Sequence, residues 1–201
     1  MRKVTDILFV NANASQEIYQ ELGNQWSAIE PPIWAGMLAS HVRTVGFNPE
    51  ILDCEALQMT DDVAIHHIKR MDPRLVAFVI YGQQPSASSQ NMAGAVRLAK
   101  LVKEEGFKVL FVGGHVAALP KETLEKHPEI DFVCTGEGIY TISNLLFTNL
   151  KDNLNDVLGL GYRIEDEIFL NLPSPNVSQE DLSQHLPGMG WDLLPMKYYR
   201  K

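Results

Sequence analysis

Two adjacent glycines, Gly113 and Gly114, end the apolar run 109–112 and are followed by His115 and Val116. A backbone bare of side chains at consecutive positions allows a sharp turn or the close approach of another group. Other small and hydroxyl-bearing stretches follow apolar runs in the same way. "GQQPSASSQN" follows 75–81 and carries Gln83, Ser86, Ser88 and Ser89, and "TGEGIYT" follows 131–134 with Thr135, Gly136, Glu137 and Gly138. The first run, 7–10, leads into the long polar stretch "NANASQEIYQELGNQWSAIEPPIW", which opens on Asn11. The chemistry of these types is binding rather than bond making: hydroxyls and helix N-terminal N–H groups act as donors around backbone on which a large planar or extended ligand can lie. Each stretch also has a plainer reading, glycine as turn chemistry and serine as a helix cap.

Familiar catalytic signatures are absent. No GxGxxG follows the first run, and there is no GxxxxGK[ST] loop or GxSxG elbow. Asn11, Asn13, Tyr81 and Gly82 stand where a phosphoacceptor site of the response-regulator kind needs carboxylates. None of the six histidines is spaced with a serine and an acid, and His66 and His67 read as a solvated helix face. Cys54 and Cys134 have no metal-site spacing, so reduced thiols are expected and no metal site is encoded. A net charge of −8 argues against nucleic acid, whose phosphates need clustered Lys and Arg. No apolar stretch reaches the roughly 18 residues of a membrane span, and the N-terminus lacks a cleavage site, so a cytoplasmic location is expected.

The elements that must position these loops alternate along the chain. Short apolar runs at 7–10, 50–52, 75–81, 109–112 and 131–134 are separated by helix-length amphipathic segments. Pro31 and Pro32 open one helix, Ala35, Leu38, Ala39 and Val42 form its inner face, and Gly46 stops it; 91–105 repeats the pattern with Ala95, Leu98, Ala99, Val102 and Gly106. The pattern predicts an α/β, flavodoxin-like (Rossmann-type) doubly wound sheet of five parallel strands. Residues 1–150 are expected to form that domain, and 151–201 a β-hairpin (157–163 with 167–170) followed by a Pro-, Gly- and Ser-rich linker. Ligands of such a sheet sit at the carboxyl ends of its strands, where all the loops above fall.

The order of these stretches is similar to a known family. Pro31-Pro32, "HVRTVGFNPEILD", the Ser-rich loop, "VGGHVAALP" and "CTGEG", continuing through "GLGYRIEDEIFLN" to "WDLLPMKYY", resemble the N-terminal cobalamin-binding domain of B12-dependent radical SAM enzymes. The resemblance covers almost the whole chain. It implies that the corrin lies over the carboxyl edge, bordered by Asn11, Tyr81 and Gln83, with the nucleotide tail beside the fourth and fifth strands. Gly113 and Gly114 then leave room for the tail, with His115 and Val116 beside it. Ser86, Ser88 and Ser89 hydrogen-bond the tail or the ring amides, and Thr135, Gly136, Glu137 and Gly138 close the far wall.

The same resemblance implies a division of labour. The chain holds cobalamin and presents it to a radical SAM domain of the same parent protein, for methyl transfer or related radical chemistry. S-adenosylmethionine and a [4Fe–4S] cluster belong to that second domain, because the CxxxCxxC cluster is not in these 201 residues. The chain therefore looks like the cofactor-binding piece of a longer enzyme of the methyltransferase kind. The cobalt-ligating DxHxxG is missing, and residues 11–30 hold no histidine. Cobalamin is expected with its base off and no protein imidazole on the metal, His115 contributing a hydrogen bond or packing. Ile139 stands where many relatives have a second Glu after "GEG", which leaves no acid there. A different reading remains open: a stand-alone flavodoxin-like enzyme or sensor of small molecules, with the tail as a dimerisation arm.

Overall fold

The computed structural model describes residues 4–14, 29–81 and 85–199, except for the side chains of 85–88 and 90. Its strands are β1 (Ile7–Asn11), β2 (Pro49–Asp53), β3 (Leu75–Ile80), β4 (Val109–Gly113), β5 (Phe132–Cys134), β6 (Leu160–Ile164) and β7 (Glu167–Leu170). The helices between and after them are α1 (Ile33–Thr44), α2 (Asp61–Met71), α3 (Pro85–Glu104), α4 (Gly114–Ala118), α5 (Pro120–Lys126), α6 (Ile139–Phe147) and α7 (Leu182–His185).

All seven strands form one sheet in the order β2-β1-β3-β4-β5-β6-β7. The expected five-stranded sheet is thus seven-stranded. The pairs from β2 to β5 are parallel, and the C-terminal strands extend the same sheet antiparallel, with β6 on β5. The sheet grows because β6 brings Leu160 and Tyr162 against Cys134 and Phe132, side chains that an open edge would leave wet.

Alternation of side chains explains why the parallel strands are apolar on both faces. Ile7, Phe9, Ala77, Val79, Leu110 and Val112 face one core, shared with Ala35, Leu38, Ala39 and Val42 of α1 and Ile139, Ile142, Leu145 and Leu146 of α6. Leu8, Val10, Val76, Phe78, Val109 and Phe111 face the other, with Ala64 and Ile68 of α2 and Ala95, Leu98, Ala99 and Val102 of α3. Phe78 and Phe111 are register partners whose rings meet at 5.2 Å in the middle of that layer.

Two segments expected to be loops are helical. α3 begins at Pro85, so Ser86, Ser88 and Ser89 lie in its first turns rather than in a loop. Proline suits a first helical turn, where its missing N–H costs nothing. "GHVAA" is the short helix α4, which turns Val116 wholly into the second core.

The C-terminal stretch packs back onto the body. His41 of α1, 1 % exposed, bonds through Nδ1 to the carbonyl oxygen of His185 at 2.8 Å. Gly190 N–H donates to the Gly36 carbonyl at 3.1 Å, and a Cβ on Gly36 would meet the Met189 side chain, its Cε at 2.9 Å. Arg43 holds Asp192 with two bonds of 2.8 and 2.7 Å. Leu194 joins the first core, and the Tyr199 hydroxyl donates to Asp53 at the end of β2.

Candidate functional site

Strand order reverses between β1 and β3, which opens a crevice at the carboxyl edge of the sheet. Gly94 of α3 positions the chain leaving β1, since a Cβ there would lie 2.9 Å from the Asn13 carbonyl oxygen. Arg97, three residues further along α3, donates to that same oxygen at 3.1 Å and pairs with Asp61. The loop after β1 is therefore laid directly on α3.

One wall is acidic. Asn11 and Asp53, register partners at the ends of β1 and β2, are joined by a 2.9 Å bond from Asn11 Nδ2 to Asp53 Oδ1. The same oxygen accepts the Ala56 N–H at 3.0 Å, and Oδ2 accepts the Tyr199 hydroxyl. With 0 % of its surface exposed, this carboxylate depends on those donors. Burial, and next Asp53, push the Glu55 carboxyl above its ordinary range; a hydrogen bond from Asn11 opposes the shift and Glu30 adds to it. Burial and the bond to Asp53 hold the Tyr199 phenol far above its usual value.

The middle of the edge is aromatic. Tyr81 stacks on Trp34 at 4.5 Å and 20°, a flat surface beside the crevice. Burial, with smaller pushes from Cys134 and Glu137, raises the Tyr81 hydroxyl to about 12, so at neutral pH it is a protonated phenol able to donate. Beyond it, Ser89 Oγ lies 2.9 Å from His115 Nδ1 and ties α3 to α4. Gln83 and the side chains of Ser86 and Ser88 lie outside the described residues.

The glycine pair divides. A Cβ on Gly113 would run into the Ile80 carbonyl oxygen and lie 2.6 Å from its carbon, so the missing side chain is required by the neighbouring strand. Gly113 is thus bare on account of the sheet itself, independently of any ligand. Gly114 is exposed at the start of α4. Val116 faces the core rather than the edge.

On the far wall the Thr135 hydroxyl donates to the Gly159 carbonyl at 3.2 Å and is turned toward the hairpin. A Cβ on Gly136 would meet nothing within 4 Å, so its backbone borders open space, and Glu137 is exposed. Gly138, at φ +85°, caps α6, and a side chain there would press on Val112 at 2.8 Å. The sequence reading missed Trp34, Asp53, Glu55 and Tyr199. Trp34 was within reach, because α1 must start at the carboxyl edge; Tyr199 gave no local signal.

This edge suits a corrinoid in its donor set and shape: a flat aromatic pair, bare backbone at Gly114 and Gly136, and neutral donors at Asn11, Tyr81 and Ser89. Among the described residues no group of His, Cys, Asp and Glu could hold a metal ion by itself. No helix of the described residues is long and apolar enough to cross a membrane.

Residues 23–146 match the B12 binding domain family, and the chain belongs to it. It is 30% identical over 201 residues to the "Uncharacterized methyltransferase PH0819" of Pyrococcus horikoshii, covering 98% of this chain and 40% of that protein. It is 27% identical over 172 residues to the anaerobic magnesium-protoporphyrin IX monomethyl ester cyclase of a Synechocystis species, covering 84% of this chain and 33% of the cyclase. The fold matches the cobalamin-dependent S-adenosylmethionine radical enzyme OxsB, with aqua-cobalamin and S-adenosylmethionine bound, at TM-score 0.67 and 17% identity, over 98% of this chain and 26% of OxsB. The chain thus spans well under half the length of these relatives.

Proposed function

We propose that residues 1–150 hold cobalamin over the carboxyl edge and that 151–201 form the hairpin and linker toward a radical SAM domain of the same protein. The observation that carries this reading is the family match falling on a sheet whose carboxyl edge carries the flat Trp34–Tyr81 stack and open space at Gly136. When bound, cobalamin would supply cobalt chemistry for methyl transfer or related radical chemistry, with S-adenosylmethionine and a [4Fe–4S] cluster held by the second domain. One relative is a methyltransferase and another a cyclase, so the reaction class stays broad.

The residues divide the work. Asn11, Tyr81 and Gln83 border the ring, with the Trp34–Tyr81 stack giving it a flat neighbour. Ser86, Ser88, Ser89 and His115 receive the tail or the ring amides. Gly114 and Gly136 keep backbone open, while Gly113, Val116, Thr135 and Gly138 hold the frame and Glu137 stands at the rim. The cofactor binds base off and without a protein imidazole. In support, residues 11–30 contain no histidine, and His115 Nδ1 is engaged by Ser89.

Mixing the protein with hydroxocobalamin and filtering tests the binding; retained red colour is expected, and a colourless protein would leave only a stand-alone small-molecule role. Electron paramagnetic resonance of the bound Co(II) form tests the axial face. No nitrogen superhyperfine splitting is expected, and splitting that His115→Ala abolishes would put that histidine on the metal.

A further inference from the structure

Asp53 joins two places far apart in the chain. It accepts from Asn11, which borders the proposed ring site, and from Tyr199, 146 residues distant, at the end of the strap that runs back over α1. The strap from Met189 to Tyr199 is held by Gly190 on Gly36, Asp192 on Arg43 and Tyr199 on Asp53, and by Met189, Leu193, Leu194 and Met196 packed on the first core. The Arg43–Asp192 pair is bidentate and partly solvated, with side chains 39% and 67% exposed. Asp53 is the fastening at the ligand edge, and it is wholly buried. Hydrogen bonds to a buried charged group are worth more than neutral ones.

We infer that Asn11, Asp53 and Tyr199 form a clasp through which occupation of the cobalamin site tightens the strap leading out of the domain. The inference rests on the proposed cobalamin binding. The Asn11 amide has two N–H donors, one of which is given to Asp53 Oδ1. A ligand that accepts from the other N–H fixes the amide in that orientation. The carboxylate is then held in place for Tyr199, and the strap closes more firmly. Tyr199 and Asp53 are positioning residues here. Linkage makes the effect reciprocal, so a strap freed from Asp53 weakens the cofactor by the factor by which the cofactor tightens the strap.

Amide hydrogen exchange across 189–199, measured with and without hydroxocobalamin, tests the clasp. In the parent protein, bound cobalamin is expected to slow exchange in this segment severalfold. In Tyr199→Phe, exchange without cofactor should rise by about tenfold, the scale of one hydrogen bond to a charged group. Cobalamin should still be retained by this variant and no longer change exchange there. Arg43→Ala, which releases the strap at Asp192 alone, should keep the cofactor response. Parent protein that retains cobalamin while exchange at 189–199 is indifferent to it would overturn the clasp and leave the binding reading intact. Parent protein that retains no cobalamin would overturn both.

Discussion

At single residues, the two neighbouring glycines have separate consequences. Gly113→Ala forces a Cβ against the Ile80 backbone, which cannot yield as a side chain can, so a loss of about 1 to 3 kcal/mol in urea-unfolding free energy is expected. Gly114→Val, exposed on α4, should instead leave circular dichroism and melting close to the parent while lowering cobalamin retention by roughly one to two decades. A fold that collapses in Gly114→Val would assign this glycine to the turn as well. Both thiols are buried, and burial pushes Cys54 up to about 12, so neither Cys54 nor Cys134 should react with iodoacetamide at pH 8 until the protein is unfolded. Sequence marks the glycine pair and cannot separate its members, because Ile80, which crowds one of them, is 33 residues away from Gly113.

At the level of elements, the parallel strands were legible because burial on both faces writes a continuous apolar run, and α1 was legible from its stripe. The serines of α3 look like a loop in the sequence, since polar residues in a first helical turn resemble the turn before it. The tail looks like a linker in the sequence because its anchors are single contacts without period: His185, Met189, Asp192 and Tyr199. One of these docks by a buried neutral histidine. Burial lowers the His41 pKa from its ordinary 6.5, against a raising effect of its bond to the His185 carbonyl. Below about pH 6.5 the unfolded chain takes up a proton that the folded one resists, so stability is full above that pH and falls as the solution is acidified toward the lowered value. Melting temperature should therefore drop between pH 7 and 5, and drop less in His41→Gln, which cannot titrate.

For the molecule as a whole, the chain spans 40% and 33% of two longer relatives, and the proposed function asks these residues to hold cobalamin and not to cleave S-adenosylmethionine. Anaerobic iron–sulfur reconstitution of these 201 residues should yield no sustained 5′-deoxyadenosine. Continued formation of that product would place the cluster on this chain after all. The broad architecture, with the small-residue stretches gathered at the carboxyl edge of the parallel strands, was legible from the order of apolar runs. The strap, the Asp53 clasp and the enlargement of the sheet were not, since each depends on contacts between distant segments.

That enlargement bears on how the protein behaves when shortened. β5 is three residues long and lies between β4 and β6, with Phe132, Val133 and Cys134 set against Tyr162, Gly161 and Leu160. Gly161 is bare because Val133 and Leu170 press on it from either side, at 2.6 and 2.8 Å from where its Cβ would stand. The outermost strand is then β7, only four residues long, which opens on Glu167 beside the turn residues Glu165 and Asp166; a short edge strand with charges at its start offers little for another molecule to pair with. A fragment ending at residue 150 would strip that edge away and present an apolar strand with unpaired amides to solvent. Such a fragment should self-associate, visible as rising light scattering at concentrations where the 201-residue chain stays clear.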